Sequence, residues 1–339
     1  MRSTNPNQPH TLSRRQWLST ATALAVAPCL TAMRPAWAAE YPSKALSMVV
    51  PFGAGGVADV TARTVARVMA HNLAQPVVIE NRPGAGGITA TSSVVRAKPD
   101  GYTMLLISNA TAISSTLFPK QPFDVQKDLQ PISTLGHFDL AVCVSAQSPY
   151  QSMQELLAYA KANPGKLTIG TIAIGSTQHL TAELFKTRTG IDALVVPYGG
   201  SPDVITALRS GQVDVAIDIL SPLLAQLQAK TPAVRALAVT AAQRNPLLPD
   251  VPSAAEVGIA DFEVSSWNAL AVPKNTPQSI VTRLEQAVRQ ALADTEVDKT
   301  LRQLGIRPEA STPEALGSLL ENETQRWRQV IQAANIAVG

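Results

Sequence analysis

The stretch Met48-Val-Val-Pro-Phe-Gly-Ala-Gly-Gly-Val-Ala-Asp59, running into Val60–Met69, constrains the fold more than any other. An apolar run, a glycine-rich loop and a helix-periodic segment follow one another, which reads as buried strand, tight loop and helix start. That order leaves the first helical N–H groups unpaired and aimed at one point, where the macrodipole favours negative charge. Gly53, Gly55 and Gly56 let a ligand approach the backbone with no Cβ in the way. An anion cradle over Gly53–Asp59 is one reading; a plain strand-to-helix turn is the other.

The same alternation continues. Strands are predicted over Leu46–Pro51, Pro76–Glu80 and Tyr102–Ser108, with helices over Asp59–Asn72 and Thr89–Ala97 between them. Residues 110–138 are richer in turn formers, and Leu135–Ser145 gives the next apolar strand. Leu167–Ile174, the loop Gly175-Ser176-Thr177 and the helix Gln178–Thr189 then repeat the opening theme, with Ser176 or Thr177 as N-cap. Later strands are expected over Ala193–Pro197, Val213–Ile219, Val234–Thr240 and Ser266–Val272, and terminal helices over Gln278–Thr295 and Pro313–Ala334. Strands alternating with helices predict parallel βαβ units with ligands at the carboxyl ends of the strands. The chain of 339 residues, 45% hydrophobic, suffices for two such α/β lobes.

The first 38 residues read as an export signal. Ser13-Arg14-Arg15-Gln16-Trp17-Leu18 resembles a twin-arginine motif, with an ordinary secretory signal as the alternative; an apolar run to Leu30 follows, and small residues at Ala36 and Ala38 suit cleavage. A periplasmic location follows. Removing the four arginines of that segment leaves 24 basic against 25 acidic residues, so the mature chain is near neutral and no basic patch points to nucleic acid. Cys29 would leave with the signal, and Cys143, alone in an apolar run, reads as a buried thiol.

Groups for catalysis are sparse. His10, His71, His137 and His179 are too scattered for a metal motif, and neither a Gly-x-Ser-x-Gly elbow nor a Walker lysine occurs. Ser176 and His179 share a helix face but have no orienting acid. Ser176 reads as cap and ligand donor, His179 as a ligand contact or a packed polar residue. Gly53-x-Gly55-x-x-Ala58 followed by Glu80 permits an alternative, an exported dinucleotide-dependent oxidoreductase. Against it, Asp59 would crowd a pyrophosphate, and a second glycine-rich loop follows Glu80. Two helix N-termini on two lobes favour a cleft that closes on a small carboxylate, with no enzyme activity, no cofactor and no metal. One ligand carboxylate would meet Gly53–Asp59 and the other Gly175–Thr177.

Several stretches carry a family resemblance: Val49–Asp59, Val77-Val-Ile-Glu-Asn-Arg-Pro-Gly-Ala-Gly-Gly87, Lys98-Pro-Asp-Gly-Tyr102, Ala158–Lys166, Gly175-Ser-Thr-Gln-His-Leu180, Val196-Pro-Tyr-Gly-Gly-Ser201, Gly211-Gln-Val-Asp214 and Pro249-Asp-Val-Pro-Ser253. In this order they resemble the Bug family, the TctC-like extracytoplasmic solute receptors of tripartite tricarboxylate transporters. The resemblance implies a two-lobe periplasmic binding protein of type II, each lobe a mostly parallel sheet flanked by helices. It implies a first lobe over 40–139 plus 264–339 and a second over 140–263. The partners implied are a small carboxylate (a di- or tricarboxylate, acidic amino acid or aromatic acid) and membrane transporter subunits or a sensor, the receptor itself being a monomer. It places Phe52, Gly53, Ala54, Gly55, Gly56 and Asp59 on one ligand carboxylate, and Gly175, Ser176, Thr177 and His179 on the other end. Ser108 and Asn109 would face the cleft from the first lobe, and Tyr198, Gly199 and Asp218 from the second. Gly199 stands where a lysine is common, and residues 109–118 fit the family loosely, which leaves ligand identity open.

Overall fold

The computed structural model describes residues 41–336; the export segment expected over 1–38, with Arg14, Arg15 and Cys29, lies outside them. β1 (Leu46–Val50) leads through the glycine-rich loop to α1 (Val57–Asn72), β2 (Val77–Asn81), α2 (Ile88–Val95), β3 (Thr103–Ser108) and α3 (Asn109–Leu117). A short α4 (Val125–Asp128) precedes β4 (Leu129–Ser145) and α5 (Met153–Ala162). Next come β5 (Leu167–Ile172), α6 (Thr177–Thr189), β6 (Ala193–Tyr198), α7 (Ser201–Arg209), β7 (Val215–Ile219), α8 (Leu220–Leu227) and β8 (Val234–Val239). β9 (Ser265–Pro273), α9 (Gln278–Leu292), α10 (Thr295–Gln303), β10 (Ile306–Pro308) and α11 (Pro313–Ala333) complete the fold.

The strands run in the order β2-β1-β3-β9-β4-β7-β5-β6, with β8 and β10 also on β4. β2-β1-β3 and β6-β5-β7 are parallel, as βαβ crossovers require. Antiparallel pairing is confined to ladders involving β4 and β9. β4 serves two sheets: residues 129–139 pair with β9, and residues 140–145 with β7 and β8. The chain crosses back just before β9, where Val264 N–H donates to Thr240 O and Thr240 N–H to Leu140 O.

β4 starts six residues before the expected Leu135. Pro131 and Gly136 hide it in the sequence, because proline lacks a ladder donor and glycine weakens a strand. The ladder accommodates both through register shifts at Pro131/Ser133 and Thr134/Gly136. A Cβ at Gly136 would come within 2.8 Å of Arg307 O, so β10 needs glycine there to pair. α3 is a second unexpected element, since Asn109-Ala-Thr-Ala-Ile-Ser-Ser-Thr-Leu117 is poor in helix formers. Its start is fixed by a capping box: Ala110 N–H donates to Ser108 Oγ and Ser108 N–H to Thr111 Oγ1. The helix expected over 278–295 ends at Leu292, and Asp294 caps α10 through the N–H groups of Glu296 and Val297.

The core is continuous across both sheets. α11 packs on α3, β4 and α6, with Leu316, Leu320, Trp327 and Ile331 buried. Phe185 on α6 meets Phe262 at 5.4 Å between ring centroids. Cys143 is buried and free, and burial pushes its thiol pKa up. Among the described residues no helix is long and apolar enough to cross a membrane.

Candidate functional site

Parallel strands deliver their chain ends to one place. The segments that follow β1, β3, β5, β6 and β7 line a single cleft of about 630 Å³. Phe52, Ala54, Gly55 and Gly56 form one wall with Ser108 and Ala110. Ile172, Ser176, Thr177, Gln178, Ser201, Ile219 and Ser221 form the other. Phe138 of β4, Ser266 and Asn268 of β9, and Ile306 of β10 supply the floor where the chain passes between sheets. None of the residues lining it is Lys, Arg or His.

Positive potential comes instead from helix starts. α1, α3, α6, α7 and α8 all begin at the cleft. Ser108 and Ser176 cap α3 and α6 with their hydroxyls. α1, α7 and α8 have Gly56, Gly200 and Ile219 at the N-cap and no side-chain cap; Pro202 and Pro222 have no N–H and Asp203 N–H donates to Gly200 O, so it is the remaining first-turn N–H groups that depend on something from outside the helix. Each also carries the positive end of a helix dipole.

The first loop is held by its own carboxylate. Asp59 is 3% exposed and accepts from Gly55 N–H at 2.9 Å, Arg63 Nε at 2.9 Å and Asn81 Nδ2 at 2.8 Å. Asn81 Nδ2 also reaches Phe52 O, and Arg63 reaches Asn81 Oδ1, so both ends of the loop are tied to one network. Burial works to raise the Asp59 pKa, but the bonds from Arg63, Gly55 N–H and Asn81 outweigh it and hold the group below the usual carboxylate range. Gly55 has φ +81°, which an L side chain adopts only with strain.

The second jaw is built differently. Ser176 Oγ accepts from His179 N–H, and Gly175 precedes it at φ +82°. A Cβ at Gly175 would lie 2.5 Å from Leu117 Cδ1 on α3, so a side chain there would carry the strain of the positive φ and push Leu117 away from where the two walls approach. Burial pushes the His179 pKa down, with Glu183 opposing and Lys186 assisting, and its Nδ1 has no hydrogen-bond partner.

The structure brings seven expected site residues to the cleft: Phe52, Ala54, Gly55, Gly56, Ser108, Ser176 and Thr177. The others lie outside its lining. Gly53 and Gly199 are exposed, Asn109 is buried and donates to Ser265 O, and Tyr198 packs against Gly170 and the β7–β8 side of the core. Asp59, Gly175 and His179 shape the loops from behind, and Asp218 lies fully buried beneath the second wall. Sequence reasoning missed Gln178, Ser201, Ser266 and Asn268. Gln178 stands in the Gly175–Leu180 motif and Ser201-Pro202 marks a helix start, so those two were within reach; the β9 pair is placed only by the crossing of the chain.

A family profile described as the tripartite tricarboxylate transporter family receptor matches residues 61–336. The chain belongs to that receptor family. Three solved structures show what it is similar to. The periplasmic binding protein BugD is 32% identical, with TM-score 0.76 over 88% of this chain and 99% of its own. MatC of Rhodopseudomonas palustris, solved with bound malate, is 32% identical, with TM-score 0.76 over 86% of this chain and 100% of its own. Another R. palustris protein, solved with adipate, is 34% identical, with TM-score 0.78 over 88% and 99%. The receptor therefore has the two-lobe type II periplasmic binding fold, with the cleft at the meeting of its two sheets.

Proposed function

We propose that the protein is a periplasmic, non-catalytic receptor that binds a small carboxylate between two lobes, 40–139 plus 264–339 and 140–263, and presents it to a membrane transporter or sensor. One observation carries this reading: three helix N-termini without side-chain caps open into a cleft that no cationic side chain lines. A bound carboxylate satisfies those N–H groups, each charge-assisted bond contributing roughly 1.5–3 kcal/mol. Four such bonds, less association costs, support micromolar affinity. The ligands held by MatC and by the adipate-bound relative support the carboxylate class.

Glu80, the acid a ribose would need, already accepts from Ser47 and pairs with Arg82, and Asp59 occupies the Gly55 N–H. Both arrangements argue against the dinucleotide alternative. A thermal-shift screen over mono- and dicarboxylates, hydroxy acids and amino acids tests the proposal. Stabilisation by at least one carboxylate, and none by a nicotinamide dinucleotide, is expected; the reverse pattern sinks it.

A further inference from the structure

We propose that a second crevice, on the reverse face of the strand that joins the two sheets, is a site for a soluble polyvalent oxyanion that holds the cleft open. The coupling to the cleft rests on the two-lobe reading above; the crevice itself does not. β4 passes from one sheet to the other at Asp139, and side chains along a strand point alternately to opposite faces. Phe138 lines the cleft, whereas His137 and Asp139 line a separate space of about 440 Å³. β10 repeats the division, with Ile306 paired to Phe138 and Arg307 paired to His137. Ile306 borders both spaces, but Arg307 borders the second alone. The β4–β10 ladder is therefore a wall between cleft and crevice.

The crevice has the cations that the cleft lacks. Arg244 reaches it from the connector after β8, and Arg302 and Arg307 reach it from α10 and β10, so guanidinium groups come from both lobes. Each is held by an acid through Nε: Arg244 by Glu256, Arg302 by Asp298 and Arg307 by Glu309. Arg244 Nη1 also donates to Pro249 O. Among the described residues nothing accepts a hydrogen bond from Arg244 Nη2 or from either terminal nitrogen of Arg302 and Arg307. The three ion pairs are exposed, so they do little to hold the arginines in place. Asp139 is the one acid in the lining, and its Oδ2 accepts from Asn245 Nδ2 at 2.8 Å. Asn245 Oδ1 in turn takes Leu247 N–H at 3.0 Å, which fixes the loop that carries Arg244. An oxyanion with two separated charges can accept from Arg244 on one side and from Arg302 or Arg307 on the other, in the fork geometry that suits phosphate oxygens. Because the lobes join at the wall between the two spaces, rotation that closes the cleft widens the crevice. An anion bridging the crevice opposes that rotation and weakens binding in the cleft, and the effect is reciprocal.

The probe is pyrophosphate, titrated calorimetrically into the purified protein at fixed ionic strength. One pyrophosphate per chain should bind, with affinity falling tenfold or more in an Arg302→Gln, Arg307→Gln double variant whose folding is checked by circular dichroism. Gly55→Val, a change in the cleft, should leave pyrophosphate affinity within twofold of the wild type. At saturating pyrophosphate the tightest carboxylate of the screen should bind the wild type threefold or more weakly, and bind the double variant with unchanged affinity. Absence of pyrophosphate binding, or equal binding by the double variant, overturns the site. Pyrophosphate that competes with the carboxylate in the double variant sits in the cleft and overturns the inference, leaving the receptor reading standing. Unchanged carboxylate affinity in pyrophosphate-loaded wild type overturns the coupling. If no screened carboxylate binds, the receptor reading and the coupling fall together, and the pyrophosphate titration still decides the crevice.

Discussion

Asp59→Asn is the most informative single change, because it alters one atom and one charge at the centre of the first loop. The native carboxylate gathers Gly55 N–H, Arg63 Nε and Asn81 Nδ2 at 2.8–2.9 Å. An asparagine keeps one acceptor oxygen, which can still serve Asn81. Its NH₂ group then faces Gly55 N–H and Arg63, donor against donor. The lost bond from Gly55 to a buried acid costs roughly 1.5–3 kcal/mol. Arg63 is half exposed, so its pairing adds little. A loss of roughly 1.5–3 kcal/mol lowers the Tm of a protein of this size by roughly 3–12 °C. Calorimetry of wild type and variant measures it, and titration with the tightest carboxylate from the screen should show affinity falling tenfold or more as Gly55 loses its anchor. A variant that melts within a degree of the wild type and binds with equal affinity would refute the role given to Asp59.

Four further outcomes are expected. Gly175→Ala should weaken ligand binding, since φ +82° costs about 1–2 kcal/mol with a Cβ and that Cβ meets Leu117; adding Leu117→Ala should recover part of the loss in a double-mutant cycle. Asp59 has a folded pKa below its unfolded value, so its stabilisation is full above about pH 4 and is lost as pH falls through the folded pKa; Asp59→Asn should flatten the acid limb of the stability profile below about pH 4. His179 has a folded pKa below its unfolded value of about 6.5, so stability should decline as pH falls beneath that value, and His179→Gln should remove part of the decline. Trp327→Ala, in the helix that packs on both α3 and α6, should cost about 3–5 kcal/mol by urea denaturation.

Local chemistry made much of the fold legible. Glycine at Gly55 and Gly175 has a conformational reason readable from loop context, and both loops stand where strand gives way to helix. β1, β3, β5 and β7 were recognisable as apolar runs because parallel strands are buried on both faces. Elements fixed by distant partners were not. β4 runs through Pro131 and Gly136 because β9 and β10 supply its pairing, and α3 forms on a capping box and on packing beneath α11 rather than on propensity. The cleft followed the same division. Backbone-donating residues in the two loops could be named from the motifs, whereas Ser266, Asn268, Phe138 and Ile306 enter only because the chain crosses twice between sheets. Asp59 shows a subtler limit: a carboxylate in an anion cradle looked like a ligand contact or an obstacle, and its geometry makes it the tie that shapes the loop.

The central claim is that the two loops and the uncapped helix starts between them exist to hold a carboxylate. Mass spectrometry of small molecules released on denaturing the purified protein, or protein loaded from the best carboxylate of the screen, tests it most directly. The account predicts one carboxylate per chain, displaced when Gly55 is replaced by valine. Release of a nicotinamide dinucleotide, or equal carboxylate retention by wild type and Gly55→Val, would contradict it.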